Sequence, residues 1–237
     1  MMITLDTIKN VKLYQSGSGY RFTIDSVLLS EYVNKLKPHY IADVGSGNGV
    51  IGLLLAKRYT HSRVYLFEIQ KGLHELALKN ISLNRLKRRM VAKLADISLI
   101  MERPGVRHKF DVVVSNPPFR ESLSGKISPY DEKAIARHEI KIDLIGLMSG
   151  ISHLLKPKGS VYLIYHPERL VDLFTRMRSV NIEPKRVRFV HPDPISGPKM
   201  VLIQGVKASR ASLKIEKPLF IYNKKNIYSD EVKEILR

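Results

Sequence analysis

The chain has 237 residues, 44% of them hydrophobic, which is enough for a full core in one large domain or two small ones. Forty Lys and Arg against 22 Asp and Glu give a formal charge of +18, a balance that disfavours a small neutral substrate and favours a polyanion, nucleic acid above all. With no cysteine, eight scattered histidines and no run near the roughly 20 apolar residues of a membrane span, disulfides, thiolate chemistry and Cys-based zinc are excluded, and a cytoplasmic protein without metal is expected.

In chain order, Val11–Gln15, the flexible turn Ser16-Gly17-Ser18-Gly19 and Tyr20-Arg21-Phe22 read as a small hairpin flap. A helix over 25–36 follows, with Asp25 suited to cap it. Tyr40–Val44 is a short apolar strand that runs into Gly45-Ser46-Gly47-Asn48-Gly49 and a helix over 49–58. Glycines let backbone approach a ligand closely, and a helix N-terminus offers free N–H groups, so this is a nucleotide-type site. Gly47, Gly49 and Gly52 also fit the dinucleotide spacing G-x-G-x-x-G, so the turn alone does not separate NAD from another adenosine ligand.

The next strands carry the argument further. Arg63–Phe67 ends at Glu68, whose carboxylate can take both hydroxyls of a ribose, with Ile69 beside it. After a helix over 70–84, the strand Met90–Ala95 ends at Asp96 and Ile97; Asp96 is placed to meet an adenine edge or to cap Ile97-Ser98-Leu99. The fourth strand, 110–115, runs straight into Asn116-Pro117-Pro118-Phe119. The Asn116 side-chain oxygen and the Pro117 carbonyl can accept the two protons of an amino group, which leaves its lone pair aimed at an electrophile. Pro118 holds Pro117 extended, so that carbonyl is pre-organised, and Phe119 offers a face on which an unstacked base can lie. In an open α/β sheet the carboxyl ends of the strands line one crevice, so Asp43, the glycine turn, Glu68, Asp96 and Asn116 should converge.

Residues 120–140 form a long connection beginning at that crevice; with Arg120, Arg137 and His138 it reads as a substrate-gripping lid. A helix over 141–155, a strand over 159–165, a helix over 167–180 and strands over 185–190 and 199–207 complete a βαβ series. The last two strands are joined through Asp193–Pro198 as a hairpin, which makes the final strand antiparallel. The expected architecture is α/β: a mostly parallel seven-stranded sheet with helices on both faces. Its units are an N-terminal hairpin and cap segment (1–30), a main domain (31–210) and a basic extension (211–237). Phosphate-contact candidates are Arg85–Arg89, Lys185–Arg188 and the tail lysines 214, 217, 224 and 225.

Asp43–Gly49, Glu68, Asp96 and Asn116–Phe119 resemble the donor-binding and catalytic motifs of class I S-adenosylmethionine-dependent methyltransferases that act on amino groups. More narrowly, Tyr20–Leu29 and Ala136–Glu139 resemble segments of the bacterial tRNA(Val) adenine-37 N6-methyltransferases, a resemblance that spans roughly residues 12 to 207. It implies a Rossmann-like methyltransferase fold and S-adenosylmethionine as cofactor. Donor contacts would come from Phe22, Thr23, Asp25, Asp43, Gly45, Gly47, Asn48, Gly49, Glu68, Ile69, Asp96, Ile97 and Asn116. Catalysis would fall to Asn116, Pro117 and Phe119, and substrate contact to Pro118, Phe119, Arg120, Arg137 and His138. The implied partner is tRNA, bound by a monomer or a homodimer. The tetrapeptide itself leaves guanine N2 and a glutamine amide open as acceptors, and a non-catalytic RNA-binding relic is the alternative of a different class.

Overall fold

A computed structural model describes residues 3–16, 24–102, 105–117, 144–224 and 227–237. The chain opens with a hairpin of β1 (Ile3–Ile8) and β2 (Val11–Ser16), followed by α1 (Ile24–Tyr32), β3 (Tyr40–Val44), α2 (Val50–Arg58), β4 (Arg63–Glu68), α3 (Lys71–Leu83) and β5 (Met90–Leu94). A 3-10 turn, Ile97–Glu102, leads to β6 (Phe110–Ser115). After residue 143 come α4 (Leu144–Leu154), β7 (Leu155–Tyr165), α5 (Leu170–Ser179), β8 (Ile182–His191) and β9 (Met200–Lys207). The last segment adds β10 (Lys214–Ile215), β11 (Leu219–Phe220), β12 (Tyr222–Lys224), β13 (Ile227–Tyr228) and α6 (Asp230–Leu236).

The main sheet has the order β10-β8-β9-β7-β6-β3-β4-β5, with β11 also paired to β8. Every pairing in it is parallel except those of β9, which runs antiparallel to both β7 and β8. The seven strands expected from the sequence are therefore its core, and β10 and β11 lengthen it at the β8 edge. The central strands are apolar throughout because both faces are covered. Ile41, Val64 and Leu66 enter a core under α1, α2, α3 and the hairpin, whereas Val44, Phe110 and Val113 enter a second one under α4 and α5.

The order in which strands are added reverses at β3, which has β4 on one side and β6 on the other. The registers place Val44 opposite both Phe67 and Ser115, so the residues after those three strands emerge on one rim. The Ser115 hydroxyl donates to the Val44 carbonyl at 2.8 Å and ties the end of β6 to that of β3. A crevice at such a switch point is where open α/β sheets take their ligands.

The N-terminal hairpin is present, but its strands differ from those read in the sequence. Val11–Ser16 pairs backward with Ile3–Ile8 across Lys9 and Asn10, with Lys9 at φ 50°. A two-residue turn without glycine gives little signal beside Ser16–Gly19, which drew the expected turn; residues 17–23, including the second strand drawn at Tyr20–Phe22, lie outside the described residues. The helix expected over 25–36 spans Ile24–Tyr32, and the expected strands over 159–165 and 185–190 extend to Leu155–Tyr165 and Ile182–His191.

The segment after residue 210 lies against the β8 edge. Arg186 binds Glu216 at 2.8 Å and lies over the Tyr32 ring, and the Arg188 guanidinium meets both oxygens of Glu231 at 2.7 and 2.8 Å. Paired forks of this kind are the stronger class of ion pair.

Candidate active site

The glycine turn after β3 is built from positive-φ residues: Gly45 at 66°, Gly47 at 57° and Gly49 at 89°. Side chains rarely adopt these angles, so the turn can form only with glycine at little cost. Gly49 is the N-cap of α2 and offers no side chain to hold the free N–H groups. Asp43 supplies that function from the preceding strand, its Oδ2 accepting from the Gly52 N–H at 2.9 Å. Gly52 permits the approach, since a Cβ there would overlap Leu66 and stand 3.2 Å from Asp43 Oδ2.

Glu68 holds the other side of the turn. Its Oε2 accepts from the Gly47 N–H at 2.7 Å and its Oε1 from the Gln70 N–H at 2.8 Å, while the residue is 4% exposed. The two carboxylates sit close enough that Glu68 helps raise the pKa of Asp43. Complete burial is the larger cause, and together they push Asp43 to about 7 in spite of its bond from Gly52.

Several buried polar atoms around the turn have no hydrogen-bond partner among the described residues: Asp43 Oδ1, Ser46 Oγ and both amide atoms of Asn48. Buried polar groups are nearly always satisfied, so such a cluster is able to receive a ligand's polar groups. Ile69, 44% exposed, adds an apolar surface next to Glu68.

The structure places the remaining expected residues as follows. Asn116 follows β6 on the same rim, partly buried, and its side-chain amide has no hydrogen-bond partner among the described residues; Pro117 is buried. Asp96 Oδ1 accepts from the Ser98 N–H at 2.8 Å and the Ser98 hydroxyl at 2.7 Å, so this oxygen caps the 3-10 turn. Ile97 is 6% exposed and belongs to the core beneath α4. Asp25 lies in the first turn of α1, one residue inside the helix, where its charge complements the helix dipole. Phe22, Thr23, Pro118, Phe119, Arg120, Arg137 and His138 lie outside the described residues.

The basic clusters divide into committed and free members. Arg89 donates to the Ala56, Tyr59 and Ser62 carbonyls at 2.9, 3.3 and 3.2 Å, and so closes the C-terminal end of α2. Arg186 and Arg188 are held by Glu216 and Glu231, and Lys185 donates to the Arg210 carbonyl. Arg85, Lys87 and Arg88 are exposed. Replacing Arg89 with alanine should therefore cost about 2–3 kcal/mol in urea unfolding, the loss of charge-assisted bonds to helix-end carbonyls. Arg88→Ala should stay within about 0.5 kcal/mol. Equal effects for the two would remove Arg89 from this structural role.

Sequence reasoning missed Asn80 of α3 and Asn84, the residue that caps its C-terminal end. Their signal was available: both continue the stripe Leu76, Ala77, Ile81 that faces the core, where an amide is out of place unless bonded. Among the described residues no helix is long and apolar enough to cross a membrane, and no group of three His, Cys, Asp or Glu is arranged for a metal ion.

A switch-point crevice with a glycine turn, a carboxylate ending β4 and an asparagine-proline turn ending β6 has the make-up of a methyltransferase site, and the comparisons agree. The methyltransferase small domain model matches residues 18–132. A predicted O-methyltransferase from Agrobacterium tumefaciens shares the fold with a TM-score of 0.72 at 21% identity, over 89% of this chain and 94% of that one. TYW2 from M. jannaschii, solved in complex with AdoMet, does so with a TM-score of 0.57 at 12% identity, over 86% and 84%. The chain has the Rossmann-like class I methyltransferase fold.

Sequence relatives narrow the family. A tRNA1(Val) (adenine(37)-N6)-methyltransferase from Porphyromonas gingivalis is 31% identical over 86% of this chain and 82% of its own length. One from Bacteroides thetaiotaomicron is 29% identical over 97% and 94%. The chain belongs to the tRNA1(Val) (adenine(37)-N6)-methyltransferase family.

Proposed function

We propose that this protein transfers the methyl group of S-adenosylmethionine to N6 of adenine 37 in a tRNA1(Val). The observation that carries the reading is the Asn116 amide, without a partner among the described residues, at the end of a strand pinned to the glycine turn's strand by Ser115. An uncommitted acceptor at a fixed position is what an exocyclic amine requires. Family membership supplies adenine as the acceptor, and the +18 charge fits an RNA.

The unpartnered atoms of Asp43, Ser46 and Asn48 fit a ligand rich in polar groups, and Gly45, Gly47, Gly49, Glu68, Ile69 and Asp96 stand with them as the donor site. Glu68 would reach the ribose by exchanging the Gly47 or Gln70 N–H for a hydroxyl, and Asp96 would offer Oδ2, since Oδ1 is taken by Ser98. When bound, S-adenosylmethionine supplies a sulfonium methyl that is already activated for displacement. The protein's part is to present the amine: Asn116 Oδ1 and the Pro117 carbonyl accept its two protons, orient its lone pair and stabilise the positive charge that grows on nitrogen. The proton then leaves to water, so no strong base is needed. Phe119 is assigned to stack under the base, and Pro118, Arg120, Arg137 and His138 to the RNA; Phe22, Thr23, Asp25 and Ile97 complete the proposed donor contacts.

The test is incubation with labelled S-adenosylmethionine and unmodified total tRNA, followed by mass spectrometry of the modified nucleoside. Label in N6-methyladenosine at position 37 of tRNA1(Val) is expected. Label at guanine N2, or in protein with none in tRNA, overturns the reading.

A further inference from the structure

The side chains of Asn80 and Asn84 behave as a substitute strand for β2. Asn80 Oδ1 accepts from the Tyr14 N–H at 2.7 Å while its Nδ2 donates to the Tyr14 carbonyl at 3.1 Å. Asn84 repeats the pattern on Lys12, accepting from its N–H at 3.0 Å and donating to its carbonyl at 2.7 Å. The geometry follows from two periodicities. Residues four apart on a helix rise by about 6 Å and residues two apart on a strand by about 6.6 Å, so two amides on one helical stripe match alternate peptide groups of the strand.

Only Asn80 also reaches the glycine turn. Its Nδ2 also donates to the Asn48 carbonyl at 3.0 Å, inside the glycine turn, and the residue is fully buried. Asn84 spends its spare donor on the Asn80 carbonyl of its own helix, at 2.8 Å. The turn is thus fixed at Gly47 by Glu68 and at Asn48 by Asn80, while the Asn48 side chain has no partner among the described residues. Both of these side-chain anchors are buried, so neither is exchanged for water without opening the fold.

We infer that Asn80 is a positioning residue for the methyl-donor site, coupling the docked N-terminal hairpin to the shape of the Gly45–Gly49 turn; the inference rests on that turn being the donor site. Docking of β2 orients the Asn80 amide, and the amide sets the Asn48 backbone. By linkage, donor binding in turn steadies the hairpin.

The test compares Asn80→Ala with Asn84→Ala by calorimetric titration with S-adenosylmethionine and by thermal unfolding. Both variants loosen the hairpin and should lose similar stability, but only Asn80→Ala should weaken donor binding, by about ten-fold, with Asn84→Ala within about two-fold. Wild type that takes up no donor overturns the donor-site reading itself. Wild type that binds, with the two variants equal in donor affinity, overturns the positioning role of Asn80 and leaves that reading intact. If Asn80→Ala does not fold, Asn80→Asp, which keeps the acceptor for Tyr14 and loses both donations, is compared in its place. Amide hydrogen exchange of the wild type decides independently: donor should protect Lys12 and Tyr14 together with the turn, and protection confined to the turn overturns the inference.

Discussion

Replacing Asn116 with alanine should lower turnover on tRNA by roughly 10²–10³-fold, the ~2.7–4 kcal/mol that one pre-organised electrostatic partner contributes to a transition state. The side chain does nothing else that the described residues reveal: it makes no hydrogen bond among them, and Ser115 rather than Asn116 secures the end of β6. Stability should therefore stay within about 1 kcal/mol of wild type and donor affinity within about three-fold. The loss belongs in kcat with saturating tRNA, because the amine gains its positive charge only as the bond forms. Single-turnover kinetics with labelled donor read this directly. A variant that methylates tRNA at the wild-type rate removes Asn116 from catalysis.

The second large effect concerns stability. Asp43 is wholly buried, one of its carboxylate oxygens has no partner among the described residues, and its pKa stands at about 7 against an ordinary value near 3.8. The folded state therefore holds a proton that the unfolded chain has released between about pH 4 and pH 7. Stability contributed by this group is full below pH 4 and is lost as pH rises through 7, a swing on the order of 4 kcal/mol. Asp43→Asn cannot ionise and keeps an oxygen for the Gly52 N–H. Its stability relative to wild type should rise steadily from pH 4.5 to pH 8 in urea unfolding, while donor binding weakens. A difference that is the same at both ends of that range would show that Asp43 titrates at its ordinary value in the fold.

Much of this site was legible because strand ends carry unusual residues. Glu68 and Asn116 each follow an apolar run, and β-period runs bounded by turns are the plainest signal a sequence offers. The antiparallel β9 was readable for a similar reason, since Asp193–Pro198 is too short for a crossover. What escaped was set by tertiary partners. The pairing of β2 with β1 depends on a turn at Lys9 and Asn10 with no glycine to announce it. Arg89 stood among Arg85–Arg88 as one more surface cation until the carbonyls at the end of α2 appeared around it. The cap made by Asp96 was one of two readings that sequence left open, and only the Ser98 contacts show that one oxygen is engaged. Asn80 was hidden by the opposite problem, an amide in an apolar stripe whose partners lie 66 and 32 residues away.

The Lys9 ammonium bonds both Glu31, at 2.7 Å, and the Ile235 carbonyl, at 2.8 Å, across a separation of 226 residues. The core under α1 likewise takes Ile8, Val11 and Leu13 from the hairpin together with Val232 from α6. During synthesis at about 5–20 residues per second, the hairpin must wait on the order of ten seconds or more for neighbours that follow it by 226 residues. Over that interval Val11, Leu13 and the edges of β1 and β2 are open to other chains, so the hairpin is exposed to chaperones and to aggregation until that late segment arrives.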